Sequence, residues 1–322
     1  MTLPNFVIIG VPKSGTTSLC NNLRRHPDIF IAYWNNDQKM GVKEIDFFNR
    51  YYHRGRQWYE NHFQIGAGET AIGDGSCYLS LTSLWPEVPR RLADNLPEAK
   101  LIYMVRHPID RIESMWCEHV RDGDRIPEFN IAVREWRPLL DSSLYWQQIN
   151  QFRRYFSDEQ ILVVFFEDFR TDPKAVLKHC FEFLGVDSTY DIPNASKNHN
   201  PRSNMLVDRA IWSGLRRTKL GVASRLLPIQ VKNIFRKFIQ KEMDFVPIWE
   251  EATLKWATEI LEKDARQFLQ YAGRDESFWD LGTKMIGRKL ELSQNKELKK
   301  MKQEIPFISA NPGDIELIKY RQ

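Results

Sequence analysis

The sequence predicts an α/β fold in which helices flank a central parallel sheet in three layers. Short apolar runs that fit buried strands alternate along the chain with longer stretches of helical periodicity. Strands that are buried on both faces read as continuous apolar runs, and their alternation with helices is typical of doubly wound parallel sheets. A chain of 322 residues, 42% hydrophobic and 27% charged, is long enough to bury a large core.

The first predicted strand, residues 6–9, leads directly into a glycine-rich loop and a helix. Gly10 and Gly15 let the backbone N–H groups of this loop approach an anion, and a helix beginning at Thr16 adds its dipole. The two glycines have the spacing of a P-loop of the Walker A type, but Thr16 stands where that motif has its lysine, and the cation is Lys13. The loop therefore predicts a phosphate site, while ATP hydrolysis with magnesium is disfavoured.

A second candidate for phosphate binding follows another predicted strand, residues 101–105. Arg106 stands at the carboxyl end of this strand, where ligands bind in open α/β sheets, and a guanidinium there can hold a phosphate bidentately. Ser114 lies eight residues later, on a helix predicted to begin near Pro108, and offers its hydroxyl as a second donor. The alternative is that Arg106 only pairs with an acidic neighbour such as Asp110.

The two segments together resemble the motifs of sulfotransferases that use 3′-phosphoadenosine 5′-phosphosulfate (PAPS). Residues 12–17, Pro-Lys-Ser-Gly-Thr-Thr, resemble the loop that binds the 5′-phosphosulfate, and residues 101–116 resemble the 3′-phosphate site. The resemblance implies PAPS as cosubstrate, adenosine 3′,5′-bisphosphate as product and no required metal. The cosubstrate-binding residues that it implies are Lys13, Ser14, Gly15, Thr16, Thr17, Ser18, Arg106, Ser114 and, from a looser match in a polar turn, Arg202.

A third segment, Lys43 to Phe48, resembles the Lys-Glu-x-x-Phe-Phe sequence of glycan-type members such as the heparan sulfate enzymes. The glutamate is the proposed general base in that group, so the resemblance implies Glu44 as a catalytic residue together with Lys13. A base is needed because an acceptor hydroxyl is a poor nucleophile until its proton is removed. The alternative is that Glu44 is a solvated charge beside Lys43 on a surface loop. Phe47 is predicted, with Phe48, to anchor the core.

The chain departs from the heparan-type pattern at two places. Asp46 stands where several of those enzymes have His, and the Asp-Gly-Ser of residues 74–76 replaces a lysine next to Ser or Thr. The missing lysine argues against a heavily sulfated polyanion as the acceptor. We predict a hydroxyl of a carbohydrate or glycolipid as the acceptor, with an amine or a small-molecule alcohol as the alternative. Tyr78 could stack on the acceptor, but a buried core tyrosine is the simpler interpretation.

The remaining elements follow from periodicity. A strand is predicted at residues 161–166, helices at 143–155 and 172–184, and a helical pattern from 208 to 272. We predict a sulfotransferase domain over residues 1–282, followed at 283–322 by a charged C-terminal extension that is docked or partly disordered.

Charge and cysteine content set further limits. The formal net charge of +4, without a Lys/Arg run interleaved with aromatics, predicts no nucleic-acid partner. The four cysteines lack metal-site or disulfide spacing. The first strand lies close to the first residue and no run of eighteen apolar residues follows, so we predict a cytoplasmic protein without a transmembrane segment. Peripheral membrane contact and the oligomeric state stay open.

These observations predict an enzyme, a PAPS-dependent sulfotransferase that transfers a sulfuryl group in line to its acceptor with Glu44 as general base. Two alternatives come from other classes. A nucleotide kinase or NTPase of the P-loop class is disfavoured by Thr16 at the lysine position. A catalytically silent nucleotide-binding scaffold is disfavoured by the joint presence of Lys13, Glu44, Arg106 and Ser114.

Overall fold

The structure is a computed structural model that describes residues 2–33, 43–122, 124, 126–193, 195, 206–208, 240–242 and 247–282. The chain divides into two compact units. The first consists of Met1–Arg111, Leu140–His199 and Thr258–Leu281, and the second of Ile112–Leu139, Asn200–Ala257 and Gly282–Gln322. The predicted division into residues 1–282 and 283–322 stays a prediction.

The first unit contains a five-stranded sheet in which all strands are parallel. The strands are β1 (Phe6–Gly10), β2 (Ile29–Ile31), β3 (Ala71–Asp74), β4 (Lys100–Val105) and β5 (Ile161–Phe165), in the spatial order β2-β3-β1-β4-β5. Phe6 lies opposite Gly73 on one side and Lys100 on the other, so β1 has β3 and β4 as its neighbours. The carboxyl ends of these three strands therefore meet at one edge, which is where parallel sheets bind ligands.

Ten α-helices are present in the described residues. They are α1 (Thr16–Leu23), α2 (Arg56–Glu60), α3 (Val88–Asn95), α4 (Pro108–Arg121), α5 (Phe129–Glu135), α6 (Arg137–Asp141), α7 (Tyr145–Phe152), α8 (Phe166–Thr171), α9 (Pro173–Leu184) and α10 (Glu251–Tyr271). A π-helical turn at Phe47–Tyr51 and 3-10 turns at Tyr52–Arg54, Gln64–Gly66, Asp158–Gln160 and Glu276–Trp279 complete them. Phe166, predicted as the end of a strand, instead begins α8. None of the described helices has the length and apolar character needed to cross a bilayer.

Side chains from both faces of the sheet are buried. Ile102 and Met104 of β4 pack in an apolar cluster with residues of α1 and α9. Tyr103, which lies between them in sequence, packs edge-on against Tyr145 (6.3 Å between ring centres) and Phe268 (5.9 Å). Because successive side chains of a strand point to opposite faces, helices cover the sheet on both sides. The predicted α/β class, with a central parallel sheet between helical layers, is confirmed.

The second unit has buried polar contacts of its own. The Trp249 indole N–H donates to the buried carboxylate of Glu113 at 2.9 Å. The Asn130 amide donates to the carbonyl of Ile248 at 3.0 Å and accepts from the backbone N–H of Glu250 at 2.8 Å. Buried polar groups need such partners, so these contacts fix the segment that precedes α10.

The second unit also contains a short antiparallel pair, β6 (Leu206–Asp208) and β7 (Gln240–Glu242). The helical pattern predicted for residues 208–272 is therefore wrong at 208 and 240–242, and it is right for 251–271. Strand pairing depends on a partner more than thirty residues away, which helical periodicity within a segment does not reveal.

Candidate active site

The loop between β1 and α1 has the backbone shape of an anion site. Lys13 and Gly15 both adopt the left-handed conformation, with φ of 73° and 93°, and the Ser14 N–H donates to the carbonyl of Val11 at 3.1 Å. Helix α1 begins at Thr16, without a side-chain cap and with no acidic residue in its first turn. Its first N–H groups have no intrahelical acceptors, so they are available to an anion.

Two further features fit a bound phosphate group. The Ser14 hydroxyl is fully buried yet has no hydrogen-bond partner among the described residues, a costly state that an anion in the loop would relieve. A Cβ on Gly15 would lie 2.8 Å from the Phe166 ring and 3.0 Å from the Met104 methyl group. Both this crowding and the positive φ require glycine there. The predicted loop residues are thus arranged as a cradle.

Arg106 is brought to this loop because β4 is the neighbour of β1. Its Nη1 donates to the carbonyl of Lys13 at 3.4 Å, and its guanidinium lies 4.8 Å from the centre of the Phe166 ring. The contact with Asp110 that the alternative interpretation requires is present but long, at 3.9 Å. Tyr145 fixes the backbone here by donating its hydroxyl to the Arg106 carbonyl at 2.6 Å. The two predicted phosphate segments therefore meet through Arg106 and the loop.

Ser114 lies on α4 as predicted and is half-buried. Its part in a 3′-phosphate site stays a prediction. Arg202 and the polar turn around it lie outside the described residues.

Glu44 lies beside the loop, at the carboxyl end of β3. Cys77 links the two, because its Sγ is 3.6 Å from Oε1 of Glu44 and the side chain of Thr16 is close enough to lower the pKa of its thiol. The Glu44 side chain is 19% exposed, so a substrate can reach it. The candidate base and the phosphate cradle therefore belong to one site.

The backbone that carries Glu44 is held by a buried polar network. The Ser76 Oγ accepts from the N–H groups of Ile45 (3.0 Å) and Asp46 (2.9 Å) and donates to Asp74 at 2.5 Å. The hydroxyl of Tyr59 donates to the other oxygen of Asp74 at 2.8 Å. Burial raises the pKa of Asp74, against the effect of the hydrogen bonds from Ser76 and Tyr59. This network sets the position of the candidate base.

Lys43 is buried, with 5% of its side chain exposed, and the Glu44 side chain that it contacts is partly exposed, so the role of Glu44 as base stays a prediction. Its Nζ donates to the carbonyl of Gly75 at 2.9 Å and lies 2.5 Å from Oε1 of Glu44. The sequence departs from the heparan-type pattern by lacking a lysine at residues 74–76. The structure shows that an ammonium nevertheless lies against this turn, supplied by Lys43.

Asp46 is buried two residues after Glu44 and has a positive φ of 53°. Burial raises the pKa of its carboxyl to about 6, while Arg50, with Nε 3.6 Å away, opposes the shift. Phe47 and Phe48 are 1% and 0% exposed, which confirms that they anchor the core.

A partly exposed aromatic group follows Cys77 in sequence. The Arg50 guanidinium lies 5.7 Å from the ring centre of Tyr78 and 5.9 Å from that of Trp85. All three side chains are half-buried, so Tyr78 is not the fully buried core residue of the simpler interpretation. We refer to Tyr78 and Trp85 as the aromatic group.

Two residues that border the candidate site were not named as site residues from the sequence. Cys77 carries no motif, and a single cysteine without a spacing pattern gives no signal. Lys43 stands next to the candidate base, but only its burial distinguishes it from an ordinary surface lysine. A lysine that immediately precedes a predicted catalytic carboxylate was the one signal available.

Comparison with known proteins bears on the family of the chain. Residues 3–247 match the family model described as sulfotransferase domain. The chain is 31% identical over 210 residues to the bifunctional heparan sulfate N-deacetylase/N-sulfotransferase 3 of Mus musculus, and 34% identical over 205 residues to the N-deacetylase/N-sulfotransferase 1 of the same organism. These matches cover 60% and 58% of this chain but only 23% of each relative, so the chain spans about a quarter of their length.

A solved sulfotransferase from Alicyclobacillus acidocaldarius has the same fold. It superposes with a TM-score of 0.58 at 23% identity, over 87% of this chain and all of that one. The family model alone matches well over half of the chain, and it agrees with the predicted family and enzyme class. The chain therefore belongs to the sulfotransferase domain family.

Proposed function

We propose that this protein transfers a sulfuryl group from PAPS to an acceptor hydroxyl, with Glu44 as general base. One observation carries the proposal: Cys77 contacts both Glu44 and Thr16, so a partly exposed carboxylate lies next to an anion-binding loop. A sulfotransferase needs both groups within reach of one sulfur atom.

In the proposed step the acceptor oxygen attacks the sulfur in line. The new S–O bond forms while the S–O bond to the bridging phosphate oxygen breaks, and the acceptor proton passes to Glu44. Adenosine 3′,5′-bisphosphate leaves with the bonding electron pair. The N–H groups of the loop and the ammonium of Lys13 stabilise the charge that develops on it. Because these groups stabilise the charge on the leaving phosphate, the step requires no metal. Activity that persists in the presence of a chelator is the direct check.

The cosubstrate is tested by binding. We expect the protein to bind adenosine 3′,5′-bisphosphate much more tightly than AMP, because Arg106 lies beside the loop and offers a charged donor. Arg106→Ala should weaken this binding by about 1.5–3 kcal/mol, the range for hydrogen bonds to charged groups. Titration calorimetry measures the affinities for the bisphosphate and AMP and the loss of affinity in Arg106→Ala.

The matched control is Arg153→Ala. Arg153 also packs on an aromatic ring and pairs with an acidic side chain, Asp158, but it lies outside the loop and its neighbours. This variant should bind the bisphosphate as the wild type does. Equal affinities of the wild-type protein for the bisphosphate and AMP would remove PAPS from the proposal.

The acceptor is proposed to be a carbohydrate, with a hydroxyl as the reacting group and an amine as the alternative. The relatives that match are heparan sulfate N-deacetylase/N-sulfotransferases, which supports a glycan and keeps an amine in consideration. The aromatic group adds physical support, since Tyr78 and Trp85 present partly exposed rings in the segment that follows Cys77. Rings of this kind supply large contact areas in ligand sites.

An acceptor screen with radiolabelled PAPS tests this class, using neutral sugars, amino sugars, glycolipids and simple alcohols in parallel. For the acceptor that reacts, Trp85→Ala should raise KM by about 2- to 10-fold, as expected for an aromatic contact of roughly 0.5–1.5 kcal/mol. Affinity for adenosine 3′,5′-bisphosphate should not change.

Trp146→Ala is the control, because Trp146 is also half-buried beneath an arginine, Arg153, at 5.3 Å. An equal rise of KM in both variants would show that the ring of Trp85 does not touch the acceptor. Phosphate release from ATP that depends on magnesium would instead support the kinase or NTPase alternative, which Thr16 disfavours.

A further inference from the structure

Lys43 is charged and buried beside the candidate base. Removing an ammonium from water is costly unless it is paired and hydrogen-bonded. Its two polar contacts are the carbonyl of Gly75 at 2.9 Å and Oε1 of Glu44 at 2.5 Å. The lysine is therefore anchored to the end of β3 on one side and to the carboxylate on the other.

The two carboxylate oxygens of Glu44 differ in their contacts. Lys43 lies at Oε1, and the Cys77 thiol lies 3.6 Å from the same atom. Oε1 is thus engaged by the protein, and Oε2 is the oxygen left to receive a proton from an acceptor. A carboxylate held in this way has one preset orientation, which reduces the freedom that the reaction would otherwise have to restrict.

We propose that Lys43 is a positioning residue for sulfuryl transfer, which fixes Glu44 through Oε1 so that Oε2 is presented to the acceptor proton. The inference rests on the proposed role of Glu44 as base. Lys43 does not touch the cosubstrate in this scheme and acts only through Glu44.

Other ionisable groups face the pair, namely Cys20, Cys77, Asp46 and Asp74, and behind them Arg24 lies near Cys20 and Arg50 near Asp46. Burial raises the pKa of Cys20 to about 11 and that of Cys77 to about 12, so both are neutral thiols near pH 7. Burial alone would lower the pKa of Lys43, but Cys77 and Glu44 beside it hold that pKa well above its usual value. With the thiols neutral, Glu44 is the partner that keeps the ammonium charged.

The test is the pH dependence of kcat in Lys43→Met, measured at saturating PAPS. Loss of the neighbouring positive charge should move the fall of kcat on the acid side up by roughly 1–3 pH units, the usual effect of one close opposite charge. The loss of kcat should therefore grow as the pH is lowered and should be small near pH 8. KM for PAPS should stay within about twofold.

Two variants keep the test decisive if Lys43→Met folds poorly. Lys43→Gln keeps a hydrogen-bond donor for Gly75 but loses the charge, so it should show the same pH shift. Lys43→Arg keeps the charge and should move the acid-side fall back toward that of the wild type. Lys100→Met is the matched control, because the Nζ of Lys100 also donates to a backbone carbonyl, that of Phe183 at 2.6 Å, and its pH profile should not change.

Asp46 needs its own control because burial raises its pKa to about 6, within the range of the measurement. If titration of Asp46 sets the acid-side fall, Asp46→Asn removes that fall and Lys43→Met leaves it in place. This result would overturn the inference.

A double-mutant cycle separates the inference from the proposed function. In a Glu44→Gln background, Lys43→Met should lower turnover by less than about twofold, because both changes disable one unit. A loss that multiplies with that of Glu44→Gln and is equal at every pH would make Lys43 a purely structural residue, while Glu44 remained the base. Turnover of Glu44→Gln at the wild-type rate would instead exclude the base, and the role of Lys43 with it.

Discussion

Replacing Glu44 with Gln is expected to lower turnover by roughly 10²–10⁴-fold, the usual contribution of a general base. The amide has nearly the same shape as the carboxylate but cannot accept the acceptor proton. Affinity for adenosine 3′,5′-bisphosphate should stay nearly intact, because Glu44 lies outside the phosphate loop. Steady-state kinetics with radiolabelled PAPS and titration calorimetry measure the two quantities separately.

Glu87→Gln serves as the control, since Glu87 is an exposed carboxylate that pairs with Arg90. It should change neither turnover nor affinity. Near wild-type turnover of Glu44→Gln would transfer the role of base to another group, with Asp46, Asp74 and His107 as the next candidates, and the resemblance to glycan-type enzymes would lose its main support.

Replacing Lys13 with Ala is expected to reduce both binding and turnover. The ammonium lies on the loop itself, so its loss should weaken binding of adenosine 3′,5′-bisphosphate by about 1.5–3 kcal/mol. It should also lower kcat by roughly 10²–10³-fold, the range for one preorganised donor to a developing charge. Position 13 has a left-handed backbone conformation, with φ of 73°. Lysine and alanine both carry a Cβ, so the substitution removes the ammonium without changing the backbone preference.

Lys100→Ala is the control for Lys13, because it removes a lysine from the start of β4 and not from the loop. Its affinity and kcat should match those of the wild type. If Lys13→Ala bound the bisphosphate with unchanged affinity, the loop would have to hold its anion through backbone N–H groups alone.

The parts of the site that could be predicted from sequence are those specified by short segments. The strand, loop and helix from Phe6 to Leu23 lie in one run, in which glycine spacing and the apolar strand are both visible. The same holds for β4 and Arg106, because a residue at the end of a parallel strand has a known place in the fold. Neither prediction needed any contact between distant segments.

What could not be predicted depends on such contacts. Lys43 and Gly75 are thirty-two residues apart, and the sequence around Lys43 is equally typical of a solvated loop. The hydrogen bonds of Ser76 to Ile45 and Asp46 likewise depend on how the segment after β2 returns to β3. The strand at Gln240–Glu242 was missed for the same reason, since its partner lies at Leu206–Asp208. The burial of a charged residue by a distant segment produces no periodic pattern in the sequence.

The central place of β1 in the sheet has a consequence for engineering. The phosphate loop and Arg106 follow β1 and β4, whereas the candidate base, its lysine and the aromatic group all come from residues 43–85. One uninterrupted stretch of chain thus carries all the residues proposed for the acceptor side. Grafting the corresponding stretch from another family member should exchange acceptor preference and leave the cosubstrate loop intact. The graft must keep a partner for Thr16 at position 77 and residues on β3 that pair with Phe6 and Val7.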